Sequence, residues 1–351
     1  MKFIHIADVH LGAEPEGLQT GGSGRGKEIW STLERVLQVC EREEVELLLI
    51  AGDLFHRQPL LRELKELNYM FEKLTKTKVV FIAGNHDYLK QDSYYHTFSW
   101  NKNVYPLLNG DVERIVFAPL ETTVYGFSYL QKEILEPRYD HMIAPRKTRY
   151  EILLAHGGDE RHIPIKKQNL ERLGYDYIAL GHIHKPQRLI ENLAHYAGAL
   201  EPIDKNDTGK HGYVRGEITE KGIFTSFVPF ASREYVHAEI WVDTETTNGM
   251  IKDQICECIQ NQGKEHIYKF ILKGGRDLDF VPELEQFRQL GNIIEIVDET
   301  EPAIHLDRLL AKNRGNILGR FIASFEDCEQ GSVEEQALME GVTALLQMKR
   351  S

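Results

Sequence analysis

Apolar residues fall in short runs along the first two hundred positions, and the runs alternate with stretches of helical spacing. Residues 3–7, 47–51, 79–83, 152–155 and 177–180 are rich in Ile, Leu and Val and do not alternate strictly with polar residues. Such runs predict strands buried on both faces. Between the first two, Ile29, Leu33, Val36, Leu37 and Cys40 form one stripe, predicting a helix over 27–44. Between the second and third, Leu60, Leu64, Leu67, Met70, Phe71 and Leu74 form another, with Pro59 near its start. This β-α-β-α-β order predicts sheets covered by helices. Later strands are expected at 112–118, 122–127, 195–199, 212–219 and 223–230, the last two joined as a hairpin at Glu220-Lys221-Gly222.

A new pattern begins after Ser232. Strands are expected at 236–242, 267–272 and 293–297, with helices at 249–260 and 282–290 between them. Two amphipathic helices then close the chain. One carries Ile317, Leu318, Phe321, Ile322 and Phe325; the other starts at Ser332 with Glu335 three residues on, a capping box. The expected domains are therefore 1–232, a small α/β unit at 233–300 and a helical segment at 301–351.

Composition narrows the class. The 351 residues are 42% hydrophobic and 27% charged, as in ordinary globular chains. No run reaches the ~18 apolar residues of a membrane helix. The N-terminal run is interrupted by His5 and closed by Asp8, so it reads as a strand and not an export signal. A cytoplasmic protein with no membrane partner is expected, its Cys40, Cys256, Cys258 and Cys328 being free thiols. Net charge is -12 with a pI near 5.7, which weighs against simple, autonomous DNA binding. The acidity is uneven: residues 233–351 hold 13 basic against 22 acidic side chains, leaving 1–232 close to neutral.

The chemistry lies at the strand ends. Five runs each stop at a polar cluster: Asp8-Val9-His10, Asp53, Asn85-His86-Asp87, His156, and His182-Ile183-His184. In helix-covered sheets ligands bind beyond the carboxyl ends of strands, so five ends converge if the strands are parallel neighbours. The Ala or Gly before most of the clusters lets backbones approach closely. Imidazole, carboxylate and amide oxygen suit Mn, Fe, Zn, Co or Ni. In Asp8-x-His10 and His182-x-His184 an extended backbone turns both side chains to one side. Seven ligands exceed one tetrahedral ion and fit two ions sharing a carboxylate, which can clamp the attacking and leaving oxygens of a phosphoryl displacement. Each cluster alone has a plainer reading: a core histidine, a helix cap at Asp53, a turn at 85–87. Gly21-Gly22-Ser23-Gly24-Arg25-Gly26-Lys27 imitates a phosphate loop, but Glu28 stands where Ser or Thr is needed, so a mobile loop is expected there.

The ordered motifs Ala7-Asp8-Val9-His10, Gly52-Asp53, Gly84-Asn85-His86-Asp87, His156 and Gly181-His182-Ile183-His184 resemble the calcineurin-like metallophosphoesterases. With Leu54-Phe55-His56, Lys185-Pro186-Gln187 and Ala197-Gly198-Ala199-Leu200-Glu201-Pro202, residues 1 to about 230 are similar to nuclease subunits of the SbcD type. The resemblance implies a four-layer α/β/β/α sandwich with a small capping domain and C-terminal helices. It implies two divalent ions, manganese first, with zinc and iron as alternatives. Asp8, His10, Asp53 and His184 would hold one ion and Asp53, Asn85, His156 and His182 the other. His86 would act at the leaving oxygen and His56 at the phosphate, with a metal-activated hydroxide as nucleophile. The implied function is a DNA exo/endonuclease subunit in repair, partnered by an SbcC-type coiled-coil ATPase, with a homodimer also in view. The competing readings are a phosphatase or small-molecule phosphodiesterase on the same fold, and a non-catalytic scaffold.

Overall fold

Successive side chains of the N-terminal strands enter two different cores. The computed structural model describes residues 1–16, 24–304, 306–325, 329 and 331–348. Strand β1 (Lys2–Ile6) leads to helix α1 (Gly24–Arg42), β2 (Leu47–Ala51), α2 (Leu61–Glu72), β3 (Lys78–Ile82) and β4 (Val104–Pro106). Next come β5 (Glu113–Phe117), β6 (Thr122–Gly126), β7 (Tyr150–His156), the one-turn helix α3 (Lys167–Leu170) and β8 (Tyr177–Gly181). Then β9 (Gln187–Ile190), β10 (Ala194–Tyr196), β11 (Gly212–Thr219) and β12 (Gly222–Pro229) follow. One sheet has the order β12-β11-β1-β2-β3-β4 and the second β5-β6-β7-β8-β10-β9.

Ile4, Ile6, Leu48, Ile50, Val79 and Phe81 pack with α1 and α2, while Phe3, Leu47, Leu49, Val80 and Ile82 meet Ile152, Leu154, Tyr177 and Ala179 of the second sheet. The outer faces of β7 and β8 place Leu153, Ile178 and Leu180 in a third core with Leu170 and Leu173. Period-2 burial on both faces explains why these runs show no polar alternation. The four-layer order is present, although short turns at Arg138–His141 and Lys167–Leu173 make up much of the second sheet's outer cover.

The carboxyl ends of the strands converge from two sheets. Strands β1, β2 and β3 are parallel neighbours in one sheet, and β7 and β8 are parallel neighbours in the other. The five ends meet because two sheets stack, not because five strands are adjacent. Strands β4 and β9 were not expected; both are short, and β9 is half exposed. Gly24, Arg25 and Gly26, expected in a loop, form the first turn of α1. Arg25 is buried there and donates to Glu28 and to the Pro202 carbonyl, each at 2.6 Å, so tertiary bonds override the weak helix propensity of Gly. Residues 21–23 of that loop lie outside the described residues, as does Cys328. Cys40 is buried, Cys256 exposed and Cys258 between.

Beyond residue 232 lie β13 (Tyr235–Val242), α4 (Asn248–Gln262), β14 (Ile267–Arg276), α5 (Leu284–Phe287) and β15 (Ile293–Pro302). The three strands form a sheet in the order β13-β14-β15. Three helices follow, not two: α6 (Leu306–Asn313), α7 (Ile317–Ala323) and α8 (Val333–Met348). Their shared core is Leu309, Leu318, Ile322, Leu338 and Val342. At the start of α8, Ser332 accepts from the Glu335 amide at 3.1 Å, but the Glu335 carboxylate reaches back to Gly331, so only half of the capping box forms. The chain divides into two compact units. One comprises Met1–His237, Gln262–Lys269 and Gly291–Ile294; the other comprises Ala238–Asn261, Phe270–Leu290 and Glu295–Ser351. No described helix is long and apolar enough to cross a membrane.

Candidate metal centre

Each of the five strand ends carries its polar cluster into one place in the first unit. The loops are tied to each other by backbone bonds: the Asp8 amide donates to the Gly52 carbonyl at 3.2 Å and the His10 amide to the Asp53 carbonyl at 3.0 Å. Asp8, His10, Asp53 and His182 have φ of 48°, 52°, 48° and 95°. Non-glycine residues in this region cost on the order of 1–3 kcal/mol each and persist where the surroundings over-determine them. Gly84 is one such constraint, because a Cβ there would collide with the Asp53 carboxylate and the His156 ring.

The side chains converge. His10 Nε2 and His184 Nε2 face each other at 3.1 Å. Asp53 Oδ2 lies 3.9 Å from His10 Nε2 on one side and 3.4 Å from His156 Nε2 on the other. Asn85 Oδ1 is 2.9 Å from His156 Nε2 and 3.0 Å from His182 Nδ1. Asp8 accepts the His182 amide at 2.9 Å and stands 4.0 Å from His156 Nδ1. Asp8, His10 and His156 are fully buried. The two remaining candidates pair with each other. The His86 and His56 rings stack with centroids 5.0 Å apart, and His86 Nδ1 lies 3.1 Å from the His56 carbonyl. His56 Nδ1 is 3.3 Å from His10 Nδ1, and the His86 amide donates to Asp53 Oδ1 at 2.8 Å. All nine residues singled out in the sequence are thus brought together.

Burial and charge pull against each other here. Burial pushes Asp8 up to about 6, against His156 and His184. Burial also opposes the charge on Asp53, but His156, His10 and His86 hold its carboxyl well below the usual carboxylate range. Burial lowers His156 and His184 too, yet Asp53 and Asp8 raise the first, and Asp207, Asp8 and Asp53 the second, each to about 9. His182 is pushed down to about 4 by burial and by His156. Two buried carboxylates thus draw positive charge into the site. Within each of the sets Asp8/His10/His184 and Asp8/Asp53/His156, the ligand atoms lie within 4.8 Å of one another. The donor set fits two divalent ions: mixed imidazole, carboxylate and amide oxygen, with Asp53 facing both sides.

Three acidic residues support the centre: Asp159 and Asp207, which the sequence pattern does not mark, and Asp87, which it marks only as part of the 85–87 cluster. Asp159 Oδ2 accepts from His182 Nε2 at 2.7 Å, and Asp207 Oδ2 from His184 Nδ1 at 3.1 Å. The two histidines of the Gly-His-x-His motif therefore use opposite nitrogens inward, each orientation set by an outer carboxylate. Asp159 also holds His162 Nδ1 at 2.9 Å, making a further group of potential ligands with His182. Asp87 is buried and accepts from the Gly84 and Phe55 amides and from the Tyr95 hydroxyl; burial, then Asp53, push it up to about 7. Asp159 lies three residues past His156, so proximity could have flagged it; nothing local marks Asp207. His211 turns its ring nitrogens to the Ala199 and Asp207 carbonyls at 3.1 and 3.2 Å and stands behind the loop.

The family model for calcineurin-like phosphoesterase matches residues 1–186. Among curated proteins, the uncharacterized metallophosphoesterase YhaO of Bacillus subtilis is 28% identical over 304 residues, 78% of this chain and 72% of that protein. The DNA double-strand break repair protein Mre11 of Methanopyrus kandleri is 26% identical over 352 residues, 88% of this chain and 75% of that protein. Mre11 of Methanocaldococcus jannaschii is 27% identical over 218 residues, 59% and 58% of the two chains. Among solved structures, a dimetal phosphatase from Danio rerio matches with a TM-score of 0.41 at 12% identity, over 66% of this chain and 99% of that one.

Proposed function

Since this chain belongs to the calcineurin-like phosphoesterases, we propose that it is a two-metal phosphodiesterase that cleaves DNA, serving as the nuclease subunit of a repair assembly. The observation that carries the hydrolytic part is Asp53, which faces His10 on one side and His156 on the other while holding the His86 amide. In this reading Asp8, His10, Asp53 and His184 hold one ion, and Asp53, Asn85, His156 and His182 the second, with manganese as the native metal. Bound there, the pair supplies Lewis acidity at phosphate oxygens and lowers the pKa of water.

The chain's own residues do the rest. His86 donates from Nδ1 to the His56 carbonyl, which leaves Nε2 as the atom that meets substrate. In the doubly protonated ring Nε2–H passes its proton to the departing oxygen. His56, stacked on His86, fixes that ring's plane and adds a donor toward the phosphate. Asp87 ties together the two loops that carry them, accepting from the Gly84 amide in one and the Phe55 amide in the other.

The DNA part is supported by two DNA double-strand break repair proteins among the relatives, one alignment spanning 88% of the chain. We divide the chain accordingly into a nuclease domain at 1–232, a capping domain at 233–300 and a helical segment at 301–351 that docks a coiled-coil ATPase, with a homodimer as the assembled form. The net charge of -12 favours a second reading, a phosphatase or small-molecule phosphodiesterase. The deciding experiment incubates manganese-loaded protein, alone and with the ATPase, with single- and double-stranded DNA and with a panel of phosphomonoesters and nucleotides. Manganese-stimulated cleavage of DNA is expected. Strong hydrolysis of a monoester with no DNA cut in either setting supports the second reading and overturns the first.

A further inference from the structure

Outside the nine-residue centre the first unit has a cavity of about 530 Å³. Its titratable lining is cationic or neutral: Lys185, Arg188, Lys210, His195 and Tyr196, with no Asp or Glu. Burial and Arg188 push His195 down to about 4, so near neutral pH the wall carries the three cations. That is a local excess of positive charge in a chain of net -12. Among the described residues Lys185 and Lys210 have no ion-pair partner. Arg188 leans on Glu191 at 3.4 Å, with both side chains mostly exposed, a contact worth little. Thr225 and Ser226 add hydroxyls to the lining, and Phe227 and Pro186 add apolar surface.

Two of its walls continue the loops of the metal centre. Lys185 follows His184 directly. Thr208, Gly209 and Lys210 follow Asp207, whose carboxylate accepts from His184 Nδ1. We propose that the cavity is a phosphodiester-binding subsite for the DNA strand adjoining the phosphate being cut; this rests on the DNA reading given above. Cationic side chains, hydroxyls and an apolar patch are what a backbone phosphate with its sugar and base calls for.

The test uses full-length, manganese-loaded protein with Arg188→Ala, Lys210→Ala and the double variant. Lys185 is left intact because it abuts His184. A single-stranded oligonucleotide and bis(p-nitrophenyl) phosphate, a diester without flanking phosphates, are compared. For the oligonucleotide, KM should rise several-fold with kcat retained. The slope of log kcat/KM against log salt should fall by about 1 for each cation removed. The small diester should be turned over as before, and Arg188→Lys should recover most of the loss. Wild-type KM and salt slope in the double variant, with DNA still cut, overturn the subsite and leave the DNA reading standing. Equal losses on both substrates also overturn it, because the loop then acts through the centre. A mononucleotide that competes as well as the oligonucleotide makes the cavity a free-nucleotide site and overturns the strand proposal. Wild-type protein that hydrolyses the small diester but neither binds nor cuts DNA overturns both readings.

Discussion

Asp8, His10 and Asp53, delivered by the first sheet, are held by different means from His156, His182 and His184, delivered by the second. The first three sit on left-handed backbone, fully or almost fully buried, with their loops bonded to one another through amides and carbonyls. The second three are rings, each tied through one nitrogen to an oxygen: the Ala51 carbonyl at 2.9 Å, Asp159 and Asp207. The first half is positioned by the fold, at the cost of backbone strain. In the second half His156 leans on a backbone carbonyl, and His182, although also at positive φ, and His184 lean on side-chain carboxylates that can be removed without touching the backbone. Geometry in the one is rigid by construction, and in the other it is adjustable, most of all at Asp159, whose side chain is 47% exposed against 13% for Asp207.

This contrast can be broken or sharpened by experiment. Asp53→Asn removes the carboxylate oxygen that lies within 4 Å of both His10 Nε2 and His156 Nε2, and elemental analysis after manganese loading should find both ions lost together. Loss of one ion only would mean the halves are independent. Proton linkage should come next in size. His156 and His184 lie at about 9, so near pH 7 both rings are charged in the metal-free protein, and an incoming ion must displace those protons. Metal affinity should therefore rise with pH up to about 9, by up to about tenfold per unit for each proton released. Calorimetry in buffers of different ionisation heat measures the proton count. His86→Ala should keep both ions and lower kcat by about 10²-fold or more; unchanged turnover would remove His86 from the reaction. Asp207→Asn should weaken metal binding by roughly 10- to 100-fold, and Asp159→Asn by an amount at or below the lower end of that range. Equal effects would show that exposure does not grade these two supports.

The ligands are more legible than the groups that support them. Asp8, His10, Asp53 and Asn85 follow directly on strands whose two buried faces leave an unbroken apolar run, so the change to polar residues marks the site in one dimension. Asp159 and Asp207 carry no such mark. Asp207 reaches His184 from a loop 23 residues away, and only the folded chain brings them together. The same limit explains α6, a helix of eight residues with too few turns to stand out by period. It explains Gly24–Gly26 as well, which bonds from Arg25 to distant residues draw into a helix. The stacking of two sheets lies beyond periodicity altogether, since β3 and β7 read alike although they belong to different sheets.

Strand β1 carries the first two ligands, and it lies inside its sheet because β11 pairs with it, Lys2 opposite Glu217 and His5 opposite Val214. Every ligand has been synthesised by residue 184, yet at that point β1 still has a bare edge, with Asp8 just past its end. A nascent or truncated chain stopping there offers an unpaired hydrophobic strand to any other strand it meets. The segment 212–219 thus has a protective task that no chemistry at the centre reveals. It closes the sheet against foreign partners through a pairing more than two hundred residues apart in the chain.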